Sequence, residues 1–258
     1  MVASEDSLLF PVQIMRGKAE SDLFAVKAGV EKQRGLVGFK FGGYWPGNAQ
    51  SGLPPHSSTT VLLDGGTGYP RALPSGRIVN LYRTAAADAV AVGCLARKDA
   101  TVLGVIGGGH QAEYEIRAIA HVRDLRLIKV FTRSRERGEW ISRQLADLGI
   151  EIRLTDAEGA VRGSDIVVTV TPSRDPIVRS KDIAADAVCP IGRVTSGNAV
   201  GRESACDVTT FDSSGIAIQD LAIAAAVFDR ARELGLGTRI DFWLSPGCDP
   251  AGLQPVFS

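Results

Sequence analysis

The chain has 258 residues, room for one or two domains of about 150 residues each. Hydrophobic residues make up 45% and charged residues 22%, enough to build a sizeable core without a disulfide or metal staple. The 29 basic and 29 acidic side chains cancel, which excludes a polybasic nucleic-acid binder held by counterion release and an acidic disordered tail.

Residues 1–95 carry strand-like runs broken by turn residues. The runs 23–30, 36–41 and 58–64 have strand composition, and the last ends in the turn signal Asp64-Gly65-Gly66. Between them, Tyr44-Trp45-Pro46-Gly47-Asn48 and Gly52-Leu53-Pro54-Pro55 leave little freedom for helix. A helix is predicted over about 77–97, with Ile78, Leu81, Tyr82, Ala85, Ala89 and Val92 at helical spacing as its core face. From 101 the pattern alternates: strand 101–107, helix 111–123, strand 127–132, helix 135–148 stopped by Gly149, strand 150–154 and strand 165–170. Thr155-x-x-Glu158 reads as a capping box opening a short helix. Such alternation predicts a parallel sheet with right-handed crossovers. A last helix is predicted over roughly 215–234, with Gly235 as its stop; 183–212 has no clear pattern, and the tail after Arg239 is rich in Pro and Gly.

The cysteines, Cys94, Cys189, Cys206 and Cys248, form no C-x-x-C pair and read as reduced thiols. His56 and His121 are isolated, so no metal triad can be drawn. No stretch stands out as a membrane span, and the N-terminus shows no signal-peptide pattern. A cytoplasmic protein that binds neither nucleic acid nor membrane is expected.

Gly107-Gly108-Gly109-His110-Gln111-Ala112 fits G-x-G-x-x-A, follows a predicted strand, opens a predicted helix and precedes another strand. In that context it predicts a dinucleotide site: Gly107 permits the tight turn, Gly109 the approach of a pyrophosphate, Ala112 close helix packing. About 20 residues further on, where a ribose-reading acid is expected, stand Thr132, Arg133 and Ser134. An arginine and hydroxyls suit a 2′-phosphate, so NADP(H) is favoured, with NAD(H) possible. The His110 ring, inside the phosphate loop, is not expected to do chemistry.

Residues 36–120 and 165–229 resemble the ornithine cyclodeaminase/mu-crystallin family. The resemblance rests on Gly38-Phe39-Lys40, Tyr44-Trp45-Pro46-Gly47-Asn48, Gly52-Leu53-Pro54, Arg83-Thr84-Ala85-Ala86, the glycine loop, 165–172 and 211–220. The strings Tyr82 to Ala89 and Gly109 to Glu115 look most like its iminosuccinate reductase branch. The resemblance implies an α/β chain: a substrate and dimerisation domain over 1–95, with the helix at 213–235 packing back on it, and a Rossmann domain over 96–212. It implies NAD(P)-dependent chemistry on amino acids and their imines, and a homodimer.

Carried over by position, the family's substrate-carboxylate arginine matches Arg83 and its active-site lysine matches Lys40, with Lys27 one strand earlier as a weaker substrate-site candidate. The cofactor residues match Gly107 to Ala112, Thr132 to Ser134 and Thr169, Val170 and Thr171. The segment from Asp212 to Gly215, Ser213 included, matches one beside the nicotinamide. Two departures are expected: the family's first helical segment is absent, and a further Rossmann strand with an acid–base aspartate is missing near Ile183. The second implies either an incomplete chain or impaired catalysis. Three activities are therefore carried forward: an imino-acid reductase, ornithine cyclodeaminase, and a non-catalytic NADP(H)-binding protein like mu-crystallin.

Overall fold

The structure, a computed structural model, describes residues 7–171, 173, 177 and 191–240. The expected gap near Ile183, Pro172, Cys189, Cys248 and the tail from 241 lie outside the described residues.

Six antiparallel strands make the first sheet: Ser7–Leu9 (β1), Gln13–Arg16 (β2), Leu23–Glu31 (β3), Leu36–Tyr44 (β4), His56–Leu63 (β5) and Pro70–Ala72 (β6). Its order is β1-β3-β4-β5-β6, with β2 also paired to β3. The three strands read from composition are its centre; β1, β2 and β6 are short edge strands with too few residues to show an alternation. Between β3 and β4 the Glu31 carboxylate accepts the Gln33 and Arg34 backbone N–H groups and closes the turn. The Asp64 signal is a turn of the same kind, its Oδ1 accepting from the N–H groups of Gly66 and Thr67.

The second sheet is parallel, in the order β10-β7-β8-β9: Val102–Ile106 (β7), Leu127–Phe131 (β8), Glu151–Leu154 (β9) and Ile166–Thr169 (β10). Helices His110–Val122 (α2), Arg135–Gln144 (α3) and Ala157–Val161 (α4) connect its strands. Their apolar faces meet the sheet as the spacing predicts: Leu103, Val105, Ile116, Ile119, Ile128, Val130, Ile141 and Leu145 are wholly buried. Each contributes about 1.5–3 kcal/mol of burial, and together they fix the strand ends on which a ligand can rest. One cap differs from the reading. α4 starts one residue later than the Thr155 capping box, because the Asp156 carboxylate accepts the Gly159 N–H at 2.7 Å and is the stronger acceptor.

Helix Gly76–Leu95 (α1) joins the two halves, packing on α2 on one side and on β5 and helix Ala217–Glu233 (α6) on the other. A five-residue helix, Ile191–Thr195 (α5), touches its far end. The α1 core face matches the reading at Ala85, Ala89 and Val92 and departs from it at Ile78 and Tyr82. Ile78 and Tyr82 are half exposed, while Val79, Arg83, Ala85, Ala89, Ala91 and Val92 are buried. The alanine-rich helix is apolar nearly all round, so hydrophobic spacing could not choose the face; the charged pairing of Arg83 does. By length and composition α1 also passes as a membrane span, yet it is charged and turns Arg83 inward onto an aspartate of α6. α6 lies across β3, β4 and β5, with Leu221 and Ala224 buried against Leu62. The chain thus returns to its first sheet, and the fold is α/β with one parallel and one antiparallel sheet.

Candidate active site

Register brings the first charges together. Lys27 of β3 lies opposite Lys40 of β4, which lies opposite Thr60 of β5, so all three share one face of the antiparallel sheet. α1 and α6 cover that face and bring in the rest. Lys40 Nζ donates to Asp220 Oδ1 at 3.0 Å and to Asn80 Oδ1 at 2.6 Å. Arg83, one turn after Asn80, donates to the same Asn80 oxygen through Nε at 3.0 Å and Nη2 at 2.7 Å, and its Nε stands 3.2 Å from Asp220 Oδ1. Lys27 Nζ donates to the carbonyls of Ser214 at 2.6 Å and Gly215 at 2.9 Å.

Gly215 fits this cluster for a steric reason. Its φ is +75°, and a Cβ there would stand 1.9 Å from Arg83 Nη1, so only glycine lets the guanidinium lie against the 213–215 segment. Ser213 Oγ holds that turn by accepting the Gly215 N–H.

Three cations, Lys27, Lys40 and Arg83, surround one carboxylate, Asp220, which is fully buried. Burial lowers the pKa of both lysines; for Lys27 the Arg83 charge adds to this, and for Lys40 the Asp220 charge opposes it. The His56 pKa is lowered too, first by loss of water and then by the Lys40 and Arg83 charges. Asp220 Oδ2 and Thr60 Oγ1 are buried and have no protein partner among the described residues. The arrangement holds an excess of positive charge and a spare hydroxyl, Thr60 Oγ1, in a water-poor place, an environment that suits a small anionic ligand.

The glycine loop follows β7. Gly107 has φ +126°, and a Cβ there would meet the Val170 carbonyl at 2.3 Å; one at Gly108 would press on Thr132 at 3.0 Å. The chain itself thus explains both. Gly109 is different: its φ of −86° suits any residue, and a Cβ there meets nothing within 4 Å. It is the N-cap of the thirteen-residue α2 and offers no side-chain cap. A glycine that the fold does not demand, before an uncapped helix N-terminus, fits a ligand phosphate brought close to the backbone.

Around it the carboxyl ends of β7, β8 and β10 converge, which places Thr132, Arg133, Ser134, Thr169, Val170 and Thr171 beside the loop. Arg133 is exposed. Ser134 Oγ caps α3 by accepting from Arg137 N–H, and Val170 N–H donates to Ile106. The His110 ring packs edge-on against Trp140 at 5.0 Å, in keeping with a loop residue that acts through its backbone. The Gln111 amide turns toward α1 and donates to the Leu81 carbonyl at 3.3 Å and to Glu115 Oε1 at 2.6 Å.

Two residues of the charged cluster had no role in the sequence reading. Asp220 stands among Ala217, Ile218, Leu221 and Ala224 on the buried face of α6, so a charge on an apolar helix face was the available signal. Asn80 carried no such signal: an asparagine one turn before an arginine is common on helices.

The ornithine cyclodeaminase/mu-crystallin family matches residues 12–187 and 182–235 of this sequence. The chain belongs to that family. The match divides at 182–187, where the sequence reading expects the missing family segment. The chain is similar to the iminosuccinate reductase of Paracoccus denitrificans, 28% identical over 284 residues that cover 90% of this chain and 88% of that protein. The crystal structure of that reductase with NAD+ superposes with a TM-score of 0.84 over 93% of this chain and 91% of the other, at 28% identity. An archaeal alanine dehydrogenase dimer with bound NAD gives a TM-score of 0.85 over 92% and 89%, at 27% identity. The ornithine cyclodeaminase of Agrobacterium fabrum is 30% identical over 261 residues, covering 82% of this chain and 74% of that protein. These relatives are dehydrogenases, reductases and a cyclodeaminase whose names place them on small amino or imino acids.

Proposed function

We propose that the protein is a nicotinamide-dependent reductase of an α-imino acid, with a dicarboxylic imine of the iminosuccinate type as its substrate. The observation that carries this reading is the set of three cations, Lys27, Lys40 and Arg83, held around one buried carboxylate. One carboxylate of a substrate needs one of these cations; a second carboxylate gives the remaining excess a partner. Arg83, fixed by Asn80 and Asp220, presents a planar fork to the first carboxylate. Lys27, tied to the 213–215 carbonyls, and Lys40 stand opposite each other for the second carboxylate and the imine nitrogen.

The nicotinamide, when bound, supplies hydride to the imine carbon. The backbone of Gly107 to Ala112 holds the pyrophosphate, and Thr132, Arg133 and Ser134 receive the adenosine ribose. Arg133 favours the 2′-phosphate of NADP(H), a finer assignment than the relatives crystallised with NAD+ and NAD provide. The protein's contribution is alignment and charge set in advance: Asp220 and Asn80 keep Lys40 and Arg83 in one geometry, so little reorganisation accompanies the reaction. The cyclodeaminase and the non-catalytic binder remain the alternatives. Against the first, three cations repel the side-chain ammonium of ornithine.

The test is a panel with NADPH: oxaloacetate plus ammonia, pyruvate plus ammonia, a cyclic ketimine carboxylate and, with NAD+, ornithine. Faster NADPH oxidation with the dicarboxylic imine than with the monocarboxylic one is expected, and Lys27→Met should erode that preference. Proline and ammonia from ornithine would give the assignment to the cyclodeaminase. Cofactor binding without turnover of any substrate would leave the non-catalytic reading.

A further inference from the structure

One charged cluster lies outside the substrate site. Glu115, on α2, is fully buried. One of its oxygens accepts the Gln111 amide at 2.6 Å, and that amide also donates to the Leu81 carbonyl of α1, two residues before Arg83. Its other oxygen is buried and meets no donor in the described protein. Facing it from α1 is the carboxyl group of Asp88, and a buried carboxyl oxygen that meets no donor is satisfied there only by donating a proton of its own. Two carboxyl groups can be bonded to each other only while one of them keeps a proton.

We propose that Glu115 is a positioning residue which, in its protonated form, fastens the dinucleotide helix α2 to the substrate helix α1. This rests on the reading that α2 receives the dinucleotide and α1 the substrate carboxylate. The geometry gives the fastening its purpose. Gln111 lies in the first turn of α2, in the phosphate loop, and Arg83 lies one turn before Asp88 on α1. The Asp88–Glu115 pair and the Gln111–Leu81 bond lie in the same contact of α1 with α2, the contact that sets the distance hydride must cross. A difference of an ångström there is costly to rate.

The charged and titratable groups facing Glu115 are Asp88 and, more distantly, Arg83, both from α1; Gln111 faces it from its own helix. Burial, then the Asp88 charge, then the bond to Asp88 push the Glu115 carboxyl up to about 8, against the smaller opposing effects of Gln111 and Arg83. Burial likewise raises Asp88. When the shared proton leaves, two carboxylates face each other in a water-poor contact and the helices part.

The experiment follows kcat/KM with the dicarboxylic imine, NADPH dissociation by protein fluorescence, and Tm, all from pH 5 to 9.5, for the wild type, Glu115→Gln and Asp88→Asn. Glutamine keeps both hydrogen bonds and cannot ionise. The wild type should lose kcat/KM with a midpoint near 8, about tenfold by pH 9, in addition to any loss from Lys27 and Lys40. Glu115→Gln should lack that component. Asp88→Asn removes the like charge and should move the midpoint down. The raised carboxyl also gives Tm a sign. Its contribution is whole below the unfolded value of 4.5 and is lost as pH rises to about 8, so wild-type Tm should fall across that window while Glu115→Gln stays flatter. Superimposable pH profiles for wild type and Glu115→Gln, with NADPH bound normally, would overturn the inference alone. A wild type that binds no dinucleotide at pH 7 would overturn it together with the reading beneath it.

Discussion

The two sheets treat charge in opposite ways. The core of the parallel half is apolar from Leu103 to Ile141, apart from Glu115 where α2 meets α1, and its candidate chemistry is chiefly backbone: the glycine loop and a helix N-terminus. On the antiparallel half the apolar cluster is small, Leu62, Leu221 and Ala224, and the same buried layer admits Lys40, Thr60, Arg83 and Asp220. The contrast fits the proposed ligands. A pyrophosphate is common to every dinucleotide and can be met by peptide N–H groups, which every residue but proline supplies. A small acid differs between related enzymes in the part that matters, so side chains must recognise it, and burying them requires countercharges.

If that contrast is right, the halves break differently. The largest effect is expected at Asp220. Asp220→Ala leaves Lys40 and Arg83 without their shared countercharge and should cost about 3–5 kcal/mol of stability, read by urea unfolding. A mutation at Gly109 in the cofactor loop should instead spare the fold. Gly109→Val suits the local φ and its Cβ meets no protein atom, so Tm should hold while dinucleotide affinity falls by about 100-fold or more, about 3 kcal/mol. The smallest effect is expected at the exposed Arg133: Arg133→Ala should narrow the gap between NADPH and NADH affinity by about tenfold, roughly 1.4 kcal/mol. Equal affinities of the wild type for both cofactors would remove the NADP assignment.

The same contrast explains what could be read from sequence. The parallel half was legible because its constraints are local: strand, glycine loop, helix and stop lie in order, and Gly149 takes the left-handed turn predicted for it. The charged site was legible only in part. Lys40 and Arg83 came from the family resemblance, and Lys27 ranked low because nothing in the linear sequence says that it pairs directly with Lys40. Asp220 lies 180 residues beyond Lys40 and meets it only because α6 folds back over β4. The part of the α1 face that departs from the reading, Ile78 and Tyr82, has the same origin: Ala-rich spacing fits several faces, and the ion pair with α6 decides among them. Register and return packing are long-range facts, and single-sequence periodicity does not contain them.

The central claim is that substrate recognition resides in side chains of the antiparallel half and is separable from dinucleotide binding by backbone. Arg83→Lys tests it most directly, because it keeps the charge and removes the planar fork. The account predicts a loss of about 2–3 kcal/mol in transition-state stabilisation, read as kcat/KM for the imine, with the dissociation constant of NADPH unchanged. An unchanged kcat/KM, or a loss of NADPH affinity that accounts for the whole effect, would contradict it.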